Sequence, residues 1–309
     1  MLGVCCQWLE EKKTKTGSKY VNKVGERALQ LGRFQNGEYS ADHVRSVWLG
    51  NIAGISNIVR DIRKSGVGMF RIGSSLLPLF DKICASPEGP ALLDEATQTL
   101  RDVSILFKGL RLTMHPGQFV VLNSDSDLVV ENSIRELSYH ALVMDSLGVA
   151  STPQFAINVH GGKRGNADKL LKGIDSLPEN VRQRLTLEND ENCWSVADLL
   201  PISRSTGVPI VYDSHHHVFN DGGLSGEDAM LEAAATWPNG IRSLQHLSNT
   251  EPGMEGGNFT ERRAHSWAIR QMPDHQKQFY VAGESDIEME CKGKNLGFIP
   301  YLDVLGVSL

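Results

Sequence analysis

The chain is poor in cysteine, has no long apolar run and carries no surplus of positive charge. Its five cysteines include the adjacent pair Cys5 and Cys6 but no CxxC, which excludes a disulfide framework and a sulfur-ligated zinc site and points to a reducing cytoplasm. No segment approaches the roughly 20 apolar residues that cross a bilayer, and the apolar start of MLGVCCQWLEEKK is too short for a secretory signal. A soluble, cytoplasmic protein with no membrane partner is therefore expected. A formal charge of −6 and a pI near 5.9 argue against a protein wrapped globally around nucleic acid, while leaving room for a local basic patch at a cleft. Low-complexity tracts, Pro-rich linkers and repeats beyond a strand–helix rhythm are also missing, and 309 residues, 40% of them apolar, suffice for one large core. One domain over 1–309 is the reading adopted.

What the chain does have is six apolar, β-type runs that each end on a metal-ligating or acid–base side chain. They are LTMH at His115, FAINVH at His160, LTLE at Glu188, VPIVYD at Asp213, SLQH at His246 and DIEME at Glu290. The runs recur 25 to 45 residues apart with helix-like stretches between them, the rhythm of βα units and a parallel sheet. LGVCC at the N-terminus and VGMFRIG at 67–73 supply further strands. If the sheet closes into a single (β/α)8 TIM barrel of the α/β class, the strand ends meet at one mouth, where barrel enzymes keep their chemistry. Helices are expected at 41–65, 90–108, 128–147, 166–176, 195–206, 225–236 and 260–271. The stretch 10–40 reads as a long, partly mobile loop, and 213–217, 220–223 and 249–258 as shorter loops.

A lone histidine at a strand end is more often a hydrogen-bonded core residue than a ligand, but six such ends in one barrel reverse that expectation. The mixed nitrogen and oxygen donors suit manganese, magnesium, iron or zinc rather than copper. Glu188 is placed to bridge two ions, which at roughly 3.5–4 Å apart stabilise the attacking and leaving oxygens of an in-line displacement. In SHHH (214–217) consecutive side chains cannot all face one site. His216 is the one placed near the ions, and His215 and His217 are either structural or supporting. In HPGQF the turn at Pro116-Gly117 would raise Gln118 and Phe119 at the mouth, where an amide and a ring can enter a base stack. From the dipeptide alone, packing of Phe119 under its loop is the simpler reading.

Taken in order, FRIGSSLLP (70–78), MHPGQF (114–119), VHGG (159–162), LEND (187–190), VPIVYDSHHH (208–217), HLS (246–248), AHS (264–266) and ECKGK (290–294) resemble the UV damage endonucleases. The resemblance implies a TIM barrel with up to three manganese-type ions that incises damaged double-stranded DNA immediately 5′ of cyclobutane dimers and 6-4 photoproducts. The products would be a 3′-hydroxyl and a 5′-phosphate. It implies one ion on His115, His160 and Glu188, a second on Glu188, Asp213, His246 and Glu290, and a third served by His216 and His265. Glu188, Glu290 and Lys292 would be the catalytic residues, Lys292 and Lys294 steadying phosphate or, equally, forming surface ion pairs. Gln118 and Phe119 would probe the weakened duplex. A monomer without an obligatory protein partner is expected.

The chain departs from that family's pattern at Leu244, where relatives carry a lysine that can be modified, and at Ser75 and Val4. These changes border the six strand-end ligands without removing any, so activity is expected to persist. Two other classes fit part of the pattern: a metal-dependent barrel isomerase or epimerase of small sugars, and a lesion binder that has lost its chemistry.

Overall fold

The computed structural model describes residues 1–14, 17–23 and 26–309. Its strands are β1 (Leu2–Cys5), β2 (Leu9–Thr14), β3 (Gly17–Asn22), β4 (Met69–Ile72), β5 (Arg111–Met114), β6 (Ile157–His160), β7 (Leu185–Glu188), β8 (Ile210–Asp213), β9 (Ser243–Leu247) and β10 (Ser285–Met289). β1 and β4 through β10 are all parallel and close into an eight-stranded barrel, with β1 paired to both β4 and β10. β2 and β3 form a separate antiparallel hairpin.

Each barrel strand has only four or five residues, all or nearly all buried, and the pleat sends alternate side chains to opposite faces. Outward-facing Leu2, Val4, Phe70, Ile72, Leu112 and Met114 pack with Val47, Trp48, Ile52, Ile55, Val59 and Ile62 of the helix Ala41–Ser65. That helix shows the 3.6-residue apolar spacing. It starts at Ser40, whose hydroxyl accepts from the His43 N–H, and stops at Gly66, which takes the left-handed φ of 84°. On the far side, Ile157, Val159, Leu185, Leu187, Ile210 and Tyr212 pack under the helices Ala167–Asp175, Val196–Thr206 and Gly226–Ala234.

The inward face has two storeys. The lower one is an apolar plug of Met69, Ala156, Val211 and Leu244 closed by Trp237, with Arg111 lying 5.3 Å over the Trp237 ring and 2.8 Å from Asp286. The upper one carries the polar and ionisable side chains. Register neighbours His160 and Glu188, Asp213 and His246, and His246 and Glu288 share that face.

Three expectations change. The stretch 10–40, read as a loop, contains the β2–β3 hairpin and a short helix at Leu31–Gln35; residues 15, 16, 24 and 25 of it lie outside the described residues. The helix expected at 260–271 is confined to Phe259–Arg263, and the helix that feeds β10 is Asp274–Val281. The cause is competition for backbone donors. Arg270 and Gln271 N–H groups bond the Asn249 Oδ1 at 2.8 and 3.1 Å, Ser266 N–H bonds the Asn249 carbonyl, and Trp267 N–H bonds the Glu251 carboxylate. Finally, 214–217 is one helical turn rather than a loop, because the Asp213 Oδ1 caps it by accepting from the His216 N–H at 2.7 Å.

Candidate metal centre at the barrel mouth

The strand ends bring the donors together. His115 follows β5 directly, His160, Glu188 and Asp213 close β6, β7 and β8, His246 is the penultimate residue of β9, and Glu290 follows β10. Three groups have ligand atoms within 4.8 Å of one another: His115, His160 and Glu188; Glu188, Asp213 and His216; and Asp213, His246 and Glu290. Glu188 and Asp213 each belong to two of them, so the donors form one connected cluster. A fourth group, Cys5 with Glu288 and Glu290, lies on the inner side, where the Arg71 guanidinium pairs with both carboxylates.

The arrangement of protons around the cluster fits divalent ions. His115 donates its Nδ1–H to the Pro116 carbonyl at 3.1 Å, which leaves Nε2 to face Glu188 Oε2 at 2.9 Å. Burial, reinforced by His115 and His216, holds His160 below the usual imidazole range, so one ring nitrogen keeps a free lone pair, and its Nδ1 is buried without a hydrogen-bond partner. The Asp213 Oδ2 is orphaned in the same way. Buried polar atoms are nearly always paired, and two unpaired ones aimed into a shared cluster suit an ion. His246 has Nδ1 3.0 Å from Glu188 Oε1 and 3.4 Å from Glu290 Oε1, while its Nε2 is 3.1 Å from Glu288 Oε2. His246 Nε2 is thus shared between the Glu288 carboxylate and the Arg71 guanidinium, 2.9 Å away, while Nδ1 faces the cluster.

Charge is dense here. Burial opposes ionisation of Glu188, yet His246, His160 and their neighbours hold it well below the usual carboxylate range. Burial likewise opposes protonation of His246, but Glu188 and Glu290 outweigh it and push the imidazole up to about 10. His216 is raised well above its ordinary value, Asp213, Glu188 and Glu191 overcoming its burial. Ions entering the cluster would displace those protons, since histidine ligates as the neutral base.

The remaining expected residues sit around this centre. His265 is at the rim, its Nδ1 3.8 Å from Glu290 Oε2 and its ring 6.5 Å from that of His216, and it completes none of the three-donor groups. His215 bonds the Arg263 carbonyl at 3.2 Å and His217 packs beside Tyr212, so both are structural. Gln118 is exposed and Phe119 is 83% exposed, which rules out packing under the loop. Lys292 is exposed and makes no ion pair among the described residues. Lys294 is half-buried, with a left-handed φ of 49°. Leu244 lies in the apolar plug and is fully buried.

Sequence reasoning missed the residues that hold the ligands. Arg71 bonds Glu288, lies 2.5 Å from Glu290 Oε1 and 2.9 Å from His246 Nε2, and its only sequence signal was a charge inside an apolar strand. Asn158 donates to Glu188 Oε2 and is itself oriented by the Thr186 hydroxyl at 2.9 Å. Asn189 both donates to the Asp213 carbonyl and accepts from its N–H, fixing the end of β8. Glu288 and Asn158 stand two residues before a ligand, and the period of a strand marks that spacing as the same face.

Beside His115 and His160 opens a cleft of about 510 Å3, lined by Gln118, Lys163, Glu191 and Asn192 among others. A parallel barrel with an imidazole–carboxylate cluster and a cleft at its C-terminal mouth is the setting of a barrel enzyme, and the cluster could hold metal ions. Residues 11–305 match the family model UV-endonuclease UvdE. A UV DNA damage endonuclease of Deinococcus radiodurans is 42% identical over 235 residues, covering 74% of this chain and 73% of the relative. One from Nostoc sp. is 32% identical, covering 96% and 87%. The crystal structure of SacUVDE superposes with a TM-score of 0.77 at 28% identity, covering 98% of this chain and 97% of that one. Endonuclease IV from Thermus thermophilus shares the fold, with a TM-score of 0.55 at 18% identity, covering 82% and 93%. The chain belongs to the UvdE family of UV endonucleases and is an endonuclease.

Proposed function

We propose that the protein cuts the DNA backbone immediately 5′ of UV photoproducts, cyclobutane dimers and 6-4 photoproducts among them, leaving a 3′-hydroxyl and a 5′-phosphate. The observation that carries the hydrolytic reading is the linked donor cluster, in which Glu188 and Asp213 are each shared between two groups. Two or three manganese-type ions bound there would activate water and neutralise charge on the departing 3′ oxygen. His115, His160 and Glu188 would hold one, and Asp213, His246 and Glu290, with Glu188 shared, a second. His216 would serve a further position, with His265 at its rim.

The protein's own groups prepare that chemistry. Glu288 and Arg71 hold the His246 ring from its Nε2 side, and Asn158 fixes a Glu188 oxygen. Arg71, a permanent cation against Glu288 and Glu290, tempers the repulsion among carboxylates. Exposed Lys292 and half-buried Lys294, both following β10, would meet phosphate oxygens. Gln118 and Phe119 stand clear of the surface beside the cleft, which has room for an unstacked nucleotide. Weak stacking at a lesion lowers the cost of opening the duplex there, and so favours damaged sites.

The reading further takes residues 1–309 as one endonuclease domain acting as a monomer. Five free cysteines suit a reducing cytoplasm. No helix among the described residues is long and apolar enough to cross a membrane.

The test is a gel assay on an end-labelled duplex bearing one cyclobutane dimer, with manganese, a chelator lane and an undamaged duplex. A chelator-sensitive cut at the phosphate 5′ of the dimer is expected. Lesion binding with no cut at any manganese concentration would reject the reading.

A further inference from the structure

We infer that the β2–β3 hairpin is a basic arm that lies along the phosphate backbone of duplex DNA outside the incision cleft, with Lys12 and Lys19 as its contacts. The inference rests on the DNA-cutting reading above. The hairpin begins at Leu9, four residues beyond the C-terminal end of β1, so it rises from the mouth side of the barrel. Strands of six residues, at roughly 3.3 Å each, make it about 20 Å long.

Its two halves differ in kind. The base is fastened: buried Asn295 accepts from the Leu9 N–H at 2.7 Å and donates to the Leu9 carbonyl at 3.1 Å. Lys23 N–H bonds the Trp8 carbonyl, and the Tyr20 ring sits 4.8 Å from that of Trp267. The acidic Glu10 is engaged by Lys23, which also reaches Asp61. The outer half has exposed Lys12, Lys13 and Lys19, in no ion pair among the described residues. Register sets Lys12 directly opposite Lys19, on the same face of the ribbon. Like charges so placed destabilise a hairpin, and no ion pair among the described residues offsets them. A polyanion would. On a chain of net charge −6, a ribbon whose exposed Lys12, Lys13 and Lys19 outnumber its one carboxylate unpaired among the described residues, Glu11, and that is held firmly at its root matches a phosphate backbone by charge, and a two-stranded ribbon has the width to follow a groove.

The experiment measures duplex affinity by fluorescence anisotropy across a salt series, with the full chain, manganese and an undamaged labelled duplex. For Lys12→Ala with Lys19→Ala, the slope of log affinity against log salt should flatten by roughly 1.8, so the affinity deficit grows about twelvefold as salt falls fourfold. Lesion nicking should keep its kcat and lose in KM. Lys64→Ala with Lys108→Ala removes the same charge from the opposite barrel end and should leave the slope unchanged. Lys19→Glu creates an attractive cross-strand pair, so it should hold the hairpin amides at least as protected from exchange while weakening binding about as much as the double alanine variant, which removes the same net charge. An unchanged slope, or equal losses in the Lys64 and Lys108 control, overturns the inference. So does aggregation of the hairpin variants with normal DNA affinity, which would make the lysines guards of an exposed strand edge. Failure of the unaltered protein to bind duplex at any salt would instead strike the DNA-cutting reading itself.

Discussion

The two storeys of the barrel interior are built from the same short strands, yet they treat polar groups in opposite ways. In the lower storey the charges of Arg111 and Asp286 meet at 2.8 Å, and Met69, Ala156, Val211 and Leu244 exclude water around them. In the upper storey carboxylates crowd against histidines, and His160 Nδ1 and Asp213 Oδ2 lack partners. The lower layer is held by a buried ion pair, whereas the donors of the upper layer are arranged so that they could receive a cation. Stability and chemistry are thus separated by two residues along each strand.

This separation can be broken from either side. The largest effect is expected from Glu188→Ala, which removes a ligand shared by two groups and should lower cleavage by at least ~10³-fold, read in single-turnover nicking with manganese in excess. Asp286→Ala should do the reverse, costing about 3–5 kcal/mol in urea unfolding by stranding buried Arg111 while activity per folded molecule persists. The pair also has a pH signature. Burial opposes ionisation of Asp286, but Arg111 holds its carboxyl below the ordinary value, so its contribution is complete above about pH 4 and drains away as pH falls through the lowered value. Asp286→Asn should therefore flatten the acid limb of the stability profile. Leu244→Ala, which opens a hole in the plug, should cost roughly 2–4 kcal/mol without changing where the strand is cut.

Smaller effects sharpen the comparison. Asn158→Ala frees one Glu188 oxygen and should weaken manganese binding by about 10–100-fold, measured by calorimetry. Gln118→Ala with Phe119→Ala should leave metal affinity alone and reduce the preference for damaged over intact duplex, by about tenfold if each side chain contributes part of a stacking interaction.

What could be read from the amino acids follows the same division. The strands were legible because each is a short apolar run, and the ligands because they stand where those runs stop. The supporting residues were not. Arg71 interrupts the apolar run MFRI, and Glu288 precedes a ligand that draws attention to itself; only the closed barrel shows that both face the cluster. The hairpin escaped because LEEKKT and GSKYVN lack apolar alternation on either face. Residues 264–271 were expected to continue the helix, and no local pattern reveals that Asn249, some twenty residues earlier, takes up the N–H groups of Arg270 and Gln271.

Asp213 closes β8 with two oxygens that have different duties: Oδ1 caps the turn that carries His216, and Oδ2 is left over. The cap belongs to the folded backbone and needs no ion. The chain therefore rehearses part of its coordination shell while it folds, and stripping the ions with a chelator should leave a template that reloads on mixing, without a refolding phase.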